Sequence, residues 1–401
     1  MRHDSLENHG REGETVEYRQ LGRSGLRISA MTLGTMGFGG GSMFANVGTG
    51  QVQDARRQID LAIFGTGNVQ HARRQIHLAL EAGVNMIDTA DIYSTGRAEE
   101  IVGEALGSRR DDVILATKAR FPMGDGANDA GLSRHHVVRA CEASLRRLGT
   151  DYIDLYQLHE WDGQTPLEET LGALEHLVQS GKVRYVGCSN FAGWQVMKAL
   201  GIARAEGLPA FVSQQVYLSL QERSAEYEIV PSALDQGLGL LIWSPLAGGL
   251  LSGKYRRNQP APEGSRHATD WDEPPVYDED KLWDTVDALI EVAEQHGVSA
   301  AQVALAWLLR RPAVTSLIVG ARTEEQLRDN LAAINLQLSA EEHQRLERVS
   351  RPTLIYPFWH QRKTAADRLG IGDRSLITPG PLNLMPRAAR ARSSARRTRT
   401  R

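Results

Sequence analysis

Eight short apolar runs alternate with stretches of helical period over most of this chain, at residues 30–33, 84–87, 113–116, 153–158, 183–188, 211–216, 239–243 and 316–319. Unbroken alternation of this kind suits a parallel sheet, because parallel neighbours need a crossover, usually a helix, between them. The helical stretches include residues 98–106, 134–148, 167–180, 194–205, 224–236 and 300–310. In the third, Leu167, Leu171, Leu174 and Leu177 make one apolar stripe. Ser133 and Gly149 bracket the second as start and stop signals. Ahead of the first run, residues 18–29 carry Gly22-Arg23-Ser24-Gly25 between two extended segments, the pattern of a hairpin. The expected fold is therefore α/β, a (β/α)8 TIM barrel with an N-terminal β-hairpin. A doubly wound sheet is the competitor. Gly37-Phe38-Gly39-Gly40-Gly41-Ser42 comes near its dinucleotide fingerprint but has Ser42 at the third glycine position. Ser252-Gly253-Lys254-Tyr255 likewise lacks the hydroxyl residue that a P-loop needs after its lysine.

Charge and cysteine usage narrow the setting. The formal net charge is -3, yet the last sixteen residues hold seven arginines and no acid, so the body is acidic and the tail basic. Such a tail reads as a disordered terminus, and an acidic body argues against nucleic acid as the main partner. Only Cys141 and Cys188 occur, both in apolar stretches, so they read as buried free thiols in a reducing cytoplasm. No run approaches 18 apolar residues, so no membrane span is expected. Residues 1–15 read as a disordered leader, 16–365 as the barrel, and 366–401 as an extension ending in the Arg-rich tail.

Two stretches depart from the regular pattern. Residues 256–280 are rich in proline, glycine and charge, the composition of a long loop that could act as a lid. A 15-residue segment from Gly48 to Ala62 returns 17 residues later, nearly intact, as Gly65 to Ala79. One copy suffices to make the helix leading into residues 84–87. In one continuous helix the copies would face about a quarter turn apart, and Gly65-Thr66-Gly67 interrupts the helix anyway. Residues 48–64 are therefore read as a duplicated insertion bulging near the barrel mouth.

The chemistry lies at the strand ends, which gather at one face in a barrel of this type. Asp88 follows residues 84–87, Tyr93 comes five residues later, Lys118 follows 113–116 and His159 follows 153–158. The steps of 30, 41 and 30 residues from Asp88 through Lys118 and His159 to Ser189 each suit one strand-helix unit. Neighbouring strands would then deliver a carboxylate, a phenol, an ammonium and an imidazole side by side. A phenol titrates near pH 10, and an adjacent ammonium is expected to lower that value. The best-matched task is protonating an oxygen as negative charge develops on it, as in hydride reduction of a carbonyl.

These residues carry a resemblance. Gly83-Val84-Asn85-Met86-Ile87-Asp88-Thr89-Ala90-Asp91-Ile92-Tyr93, Thr117-Lys118, Leu158-His159 and Gly187-Cys188-Ser189-Asn190-Phe191 are similar to the aldo-keto reductase superfamily over roughly residues 18–350. Trp243-Ser244-Pro245-Leu246-Ala247-Gly248-Gly249-Leu250-Leu251-Ser252-Gly253-Lys254-Tyr255 resembles the branch of potassium-channel β-subunits and bacterial relatives. The resemblance implies Tyr93 as general acid, assisted by Asp88, Lys118 and His159. It implies a nicotinamide dinucleotide lying extended across the mouth. Thr35 and Met36 match a loop beside the nicotinamide, and Ser189, Asn190 and Gln215 match positions that hold its carboxamide. Ser244, Leu246 and Lys254 match the pyrophosphate grip. Gly320, Arg322, Gln326 and Asn330 match the adenosine end, where a guanidinium at Arg322 suits a 2′-phosphate and leans towards NADP(H) over NAD.

The implied activity is NADP-dependent reduction of a small-molecule aldehyde or ketone to an alcohol, in either direction. A regulatory, redox-sensing subunit that binds nicotinamide with little turnover is the rival. Channel β-subunits of this branch typically carry Asn where this chain has His159, which favours the enzyme. Substrate identity and oligomeric state stay open. The aromatics of Ile355-Tyr356-Pro357-Phe358-Trp359-His360 fit either a substrate wall or packing beneath the rim.

Overall fold

The computed structural model describes residues 16–39, 69–263, 265–268 and 273–377. Strands β1 (Tyr18–Gln20) and β2 (Arg27–Ser29) pair antiparallel as the expected hairpin. Eight strands follow: β3 (Met31–Gly34), β4 (Met86–Asp88), β5 (Ile114–Ala119), β6 (Ile153–Leu158), β7 (Val183–Ser189), β8 (Ser213–Tyr217), β9 (Gly239–Trp243) and β10 (Val314–Val319). They close into one barrel in which each pairs with its sequence neighbour and β10 pairs with both β9 and β3, all in parallel.

Side-chain alternation explains why both faces are apolar. Met86, Ala116, Leu155, Leu241 and Ile318 point inward and fill the barrel. Their chain neighbours Ile87, Leu115, Tyr156, Leu240 and Leu317 point outward against the helices. The hairpin closes the end where the strands begin, inserting Leu21 and Ile28 among the inward set. Its turn presses close. Gly22 adopts φ +57°, and a Cβ there would meet the Val212 carbonyl oxygen at 2.3 Å. Gly22→Ala is therefore expected to cost about 2–4 kcal/mol of stability in urea denaturation, combining left-handed strain with overpacking. A loss below 1 kcal/mol would mean that the hairpin can lift away without consequence.

The helices follow the sequence closely. Helix Arg134–Leu148 is capped by Ser133, whose hydroxyl accepts from the His136 N–H at 3.2 Å, and it ends at Gly149 with φ 62°. Helix Leu167–Gln179 buries the whole leucine stripe. The helix expected over 224–236 is instead a single turn, Ser224–Glu226, followed by Ile229–Gln236. Pro231 explains the break. Its ring would clash with the carbonyl of residue 227 in a continuous helix, so the helix starts anew just before it.

The turn also carries a buried ionic network. Arg223 bonds Glu226 at 2.8 Å, Glu347 at 2.9 Å and Ser350 at 3.0 Å. Arg311 bonds Glu226 at 2.8 Å, and both guanidiniums lie over the Trp307 ring.

Among the described residues, the long segment after β9 contains two short turns, Ala247–Ser252 and Arg266–Ala268, before helix Glu279–His296 begins behind its cap Asp278. Helix Val69–Glu81 begins within the second repeat copy, runs two residues past it and leads into β4. The first copy, residues 1–15 and the Arg-rich tail lie outside the described residues. Beyond the barrel, helix Ile371–Ile377 packs against helix Ile229–Gln236. Phe358 stacks on Tyr227, while Tyr356 and Trp359 stand exposed, so this aromatic segment packs outside the 218–228 loop. Among the described residues, no helix is long and apolar enough to cross a membrane. Both cysteines are buried and free.

Candidate active site

The inward positions that are apolar in mid-barrel become polar at the strand ends. Two residues past Met86, Ala116 and Leu155 come Asp88, Lys118 and Gln157, so the register that packs the core also aims these groups into the mouth. The strand bearing Lys118 runs further than its apolar run suggests. It pairs with β6 as far as Ala119, so Lys118 lies inside the strand and not after it.

Lys118 is wholly buried. Its Nζ donates to Asp88 Oδ2 at 2.6 Å, to the Thr89 carbonyl at 2.8 Å and to Tyr93 Oη at 3.1 Å. The other Asp88 oxygen accepts from Gln215 Nε2 at 2.8 Å and Gln157 Nε2 at 3.2 Å. The carboxylate is thereby held by a cation and two amides. The Asp88 carbonyl accepts from both the N–H and the hydroxyl of Thr35, at 3.0 and 3.1 Å. Tyr93 opens a tight turn in which Ser94 and Thr95 adopt positive φ, and Ser94 Oγ donates to the Phe38 carbonyl at 2.9 Å. The loop after β3 thus braces both the carboxylate strand and the phenol's turn.

The His159 ring stands edge-on to Tyr93, with centroids 5.9 Å apart, and its Nδ1 has no partner among the described residues. Burial, together with the charges of Lys118 and Arg120, pushes its pKa well below the ordinary value. His159 is therefore a neutral imidazole at pH 7, able to share a proton but not to act as an imidazolium acid. Tyr93 corrects the sequence expectation. Its pKa is raised, because burial outweighs the lowering by Lys118. Lys118 itself is raised: burial acts to lower it, and the combined pull of Asp88 and Tyr93 prevails, so it stays charged. Behind the group, Asp91 is fully buried, and among the described residues no side chain hydrogen-bonds its carboxyl oxygens. Burial, then Glu99, drives its pKa well up, which favours its neutral form.

The remaining expected positions form two sets. Ser189 ends β7, buried, and Asn190 follows with φ 58°. The Asn190 amide donates to the His159 carbonyl at 3.2 Å and accepts from Trp243 Nε1 at 3.0 Å, which ties two strand ends together. Met36 is partly buried against the core. After β9, Ser244 with φ 48° accepts the Gly248 N–H at 2.9 Å. Leu246 packs on the core, and Lys254 is exposed. After β10, Gly320 is exposed and the Arg322 N–H donates to Gln326 Oε1 at 3.0 Å. Asn330 is buried on the helix Glu324–Ala332 that Thr323 caps. β9 and β10 are neighbours, so these segments share one side of the rim.

Sequence reading missed several residues. Gln157 could have been found by counting two from Leu155. Trp243 is likewise two on from Leu241, and its ring lies 5.0 Å from Tyr217. Arg266, in the long loop, had no sequence signal; burial and the charge of Arg322 lower its pKa, so two guanidiniums share this part of the rim. Beside them, the buried Ser265 Oγ and His267 Nε2 have no hydrogen-bond partner among the described residues. His267 sits over the Gly248 turn, where a Cβ would meet its Nε2 at 3.0 Å. Clustered cations, unused polar atoms and a glycine-lined turn could hold anionic groups such as the phosphates of a dinucleotide.

A family model for the aldo/keto reductase family matches residues 30–351. The chain is 40% identical to a Bacillus subtilis protein named an uncharacterized oxidoreductase, over 81% of this chain and 93% of that one. It is 36% identical to a probable voltage-gated potassium channel subunit beta of Arabidopsis thaliana, over 80% and 92%. It is 35% identical to versiconal hemiacetal acetate reductase of Aspergillus parasiticus, over 85% and 99%.

Proposed function

Because the chain belongs to the aldo/keto reductase family, we propose that it is an NADP(H)-dependent oxidoreductase of small aldehydes or ketones. The observation that carries this reading is the buried contact of Lys118 Nζ with Tyr93 Oη at 3.1 Å, braced by Asp88 at 2.6 Å. When bound, the nicotinamide supplies the hydride. Tyr93 gives its phenolic proton to the carbonyl oxygen, and the adjacent ammonium stabilises the phenolate left behind. Neutral His159 donates to the same oxygen and fixes its direction. Gln157 and Gln215 keep the Asp88 carboxylate turned towards Lys118. In the oxidative direction the same groups take the proton back.

On the far side of the mouth, Ser244, Lys254, Arg266, Arg322 and the N-terminus of helix Glu324–Ala332 would hold the phosphates, with Gln326 and Asn330 towards the adenosine end. Ser189 and Asn190 would face the carboxamide, beside Thr35 and Met36. The paired guanidiniums favour a 2′-phosphate, hence NADPH over NADH. A rival reading, a regulatory nicotinamide-binding subunit, draws on the relatives named as channel subunits. The complete proton-transfer group with His159 supports turnover. The two free buried thiols accord with a reducing, cytoplasmic setting.

The test is titration of NADPH and NADH by intrinsic fluorescence, followed by NADPH oxidation with 4-nitrobenzaldehyde and a panel of other carbonyls. NADPH should bind at least about tenfold more tightly than NADH, and Arg322→Ala should remove most of that margin while changing NADH affinity little. Equal affinities in the unmodified protein would overturn the assignment of the 2′-phosphate. Binding without turnover across the panel would favour the regulatory subunit.

A further inference from the structure

Arg120 is a cation at the mouth that the reaction above does not use. β5 ends at Ala119, whose carbonyl accepts the His159 N–H at 3.1 Å, so Arg120 leaves the barrel beside the catalytic imidazole. Its own carbonyl accepts the Gly131 N–H at 2.8 Å, which pins its backbone across the base of the following loop. The guanidinium lies 5.6 Å from the Phe121 ring centroid, and that ring packs edge-on to His159 at 4.8 Å. Nε is buried without a hydrogen-bond partner, and among the described residues the guanidinium makes no ion pair. Arg110, Arg147 and Arg223, by contrast, each engage a carboxylate.

The local charge is unbalanced. The ammonium of Lys118 is answered by Asp88. Of the acids on this side, Glu160 is in electrostatic reach of Arg120, but it already accepts the Trp161 N–H at 2.8 Å and burial raises its pKa. A partly buried guanidinium with a free donor edge is a poor resting arrangement unless an anion completes it. The bland alternative is that its stem merely covers Phe121 and its head reaches water. What sets Arg120 apart from a merely covering side chain is its place beside the His159 imidazole, with Nε shielded from water and no carboxylate paired to it among the described residues.

We propose that Arg120 binds an anionic group, a carboxylate or a phosphate, carried by the carbonyl substrate; this rests on the reductase reading above. The Phe121 ring lies against both the guanidinium and the imidazole, so the anion and the carbonyl are expected at separate positions of the substrate. The nucleotide's phosphates are held across the mouth by a separate set of cations.

The test compares kcat/KM within matched pairs. One arm sets 4-carboxybenzaldehyde against 4-formylbenzamide; the other sets glyceraldehyde 3-phosphate against glyceraldehyde. The anionic member of at least one pair should be favoured by about 10- to 100-fold, mainly through KM, and 0.5 M salt should erode the margin. The arm that shows it names the anion. In Arg120→Gln the ratio should fall to within about twofold of unity, and Arg120→Lys should keep part of it. Should Arg120→Gln fold poorly, Arg120→Lys and inhibition of the unmodified enzyme by 4-nitrobenzoate against 4-nitrobenzamide carry the test. If neutral aldehydes are reduced but neither pair shows a preference, or the preference survives Arg120→Gln, the inference falls and the reductase stands. If no aldehyde is reduced at all, both fall together.

Discussion

Tyr93→Phe is expected to lower kcat for carbonyl reduction by roughly 100- to 10,000-fold, the usual contribution of a positioned general acid. The change removes one oxygen and leaves the ring, so NADPH affinity should stay within about twofold. The Lys118–Asp88 pair and the amides behind it are untouched, and the fold should be too. The pH profile adds a second readout. The raised pKa of Tyr93 keeps it protonated through neutrality, and the depressed pKa of His159 keeps that ring neutral. Reduction should therefore run flat from about pH 6 to 9 and decline only on the alkaline side, as the phenol ionises above its ordinary range. A sharp loss near pH 6.5 would instead assign the acid to His159. A Tyr93→Phe enzyme within tenfold of the unmodified rate would remove the phenol from the mechanism.

Lys118→Met should have the largest effect on stability. It deletes a fully buried ammonium and leaves the Asp88 carboxylate in the barrel with only Gln157 and Gln215 to hold it. Breaking a buried pair from one side costs about 3–5 kcal/mol, because the remaining charge is uncompensated. The double variant Lys118→Met with Asp88→Asn removes both charges and should recover most of that loss in urea or thermal denaturation. Activity should stay lost in both, since nothing then stabilises the phenolate. The pH dependence follows from the raised pKa of Lys118. Its contribution is complete below the ordinary lysine pKa, near pH 10.4, and disappears as pH climbs through the higher folded value. If the double variant is no more stable than the single one, the pair is not the source of the cost.

Much of this architecture was legible in the sequence because the barrel repeats one rule. Most barrel strands are apolar on both faces in mid-barrel, so eight runs announce eight strands, and the end of each run marks the mouth. Asp88 and His159 fall where that rule puts them. Lys118 shows its limit: a polar residue that continues a strand looks, in sequence, like the residue that ends it. Only the ladder to β6 places it inside. Gln157 obeys the same two-residue count, two on from the inward-facing Leu155.

Other features depend on contacts that spacing cannot reveal. The Arg223–Glu226–Arg311–Glu347 network joins residues more than 120 positions apart. The meeting of Arg266 with Arg322 depends on the course of an irregular loop. The direction of the Tyr93 shift needed burial as well as charge, and burial is a property of the closed barrel. Pro231 was readable in principle, since a proline in a helical pattern sets where the helix can begin.

The most direct measurement follows the hydride itself. NADPH deuterated at the transferring C4 position, incubated with the enzyme and an aldehyde that it turns over, should give an alcohol with one deuterium on the former carbonyl carbon, in step with NADP⁺ formed. Tyr93→Phe should make the same labelled product far more slowly. NADPH bound tightly, yet no labelled alcohol from any carbonyl in the panel, would contradict the reductase account and leave a protein that reads nicotinamide without using it.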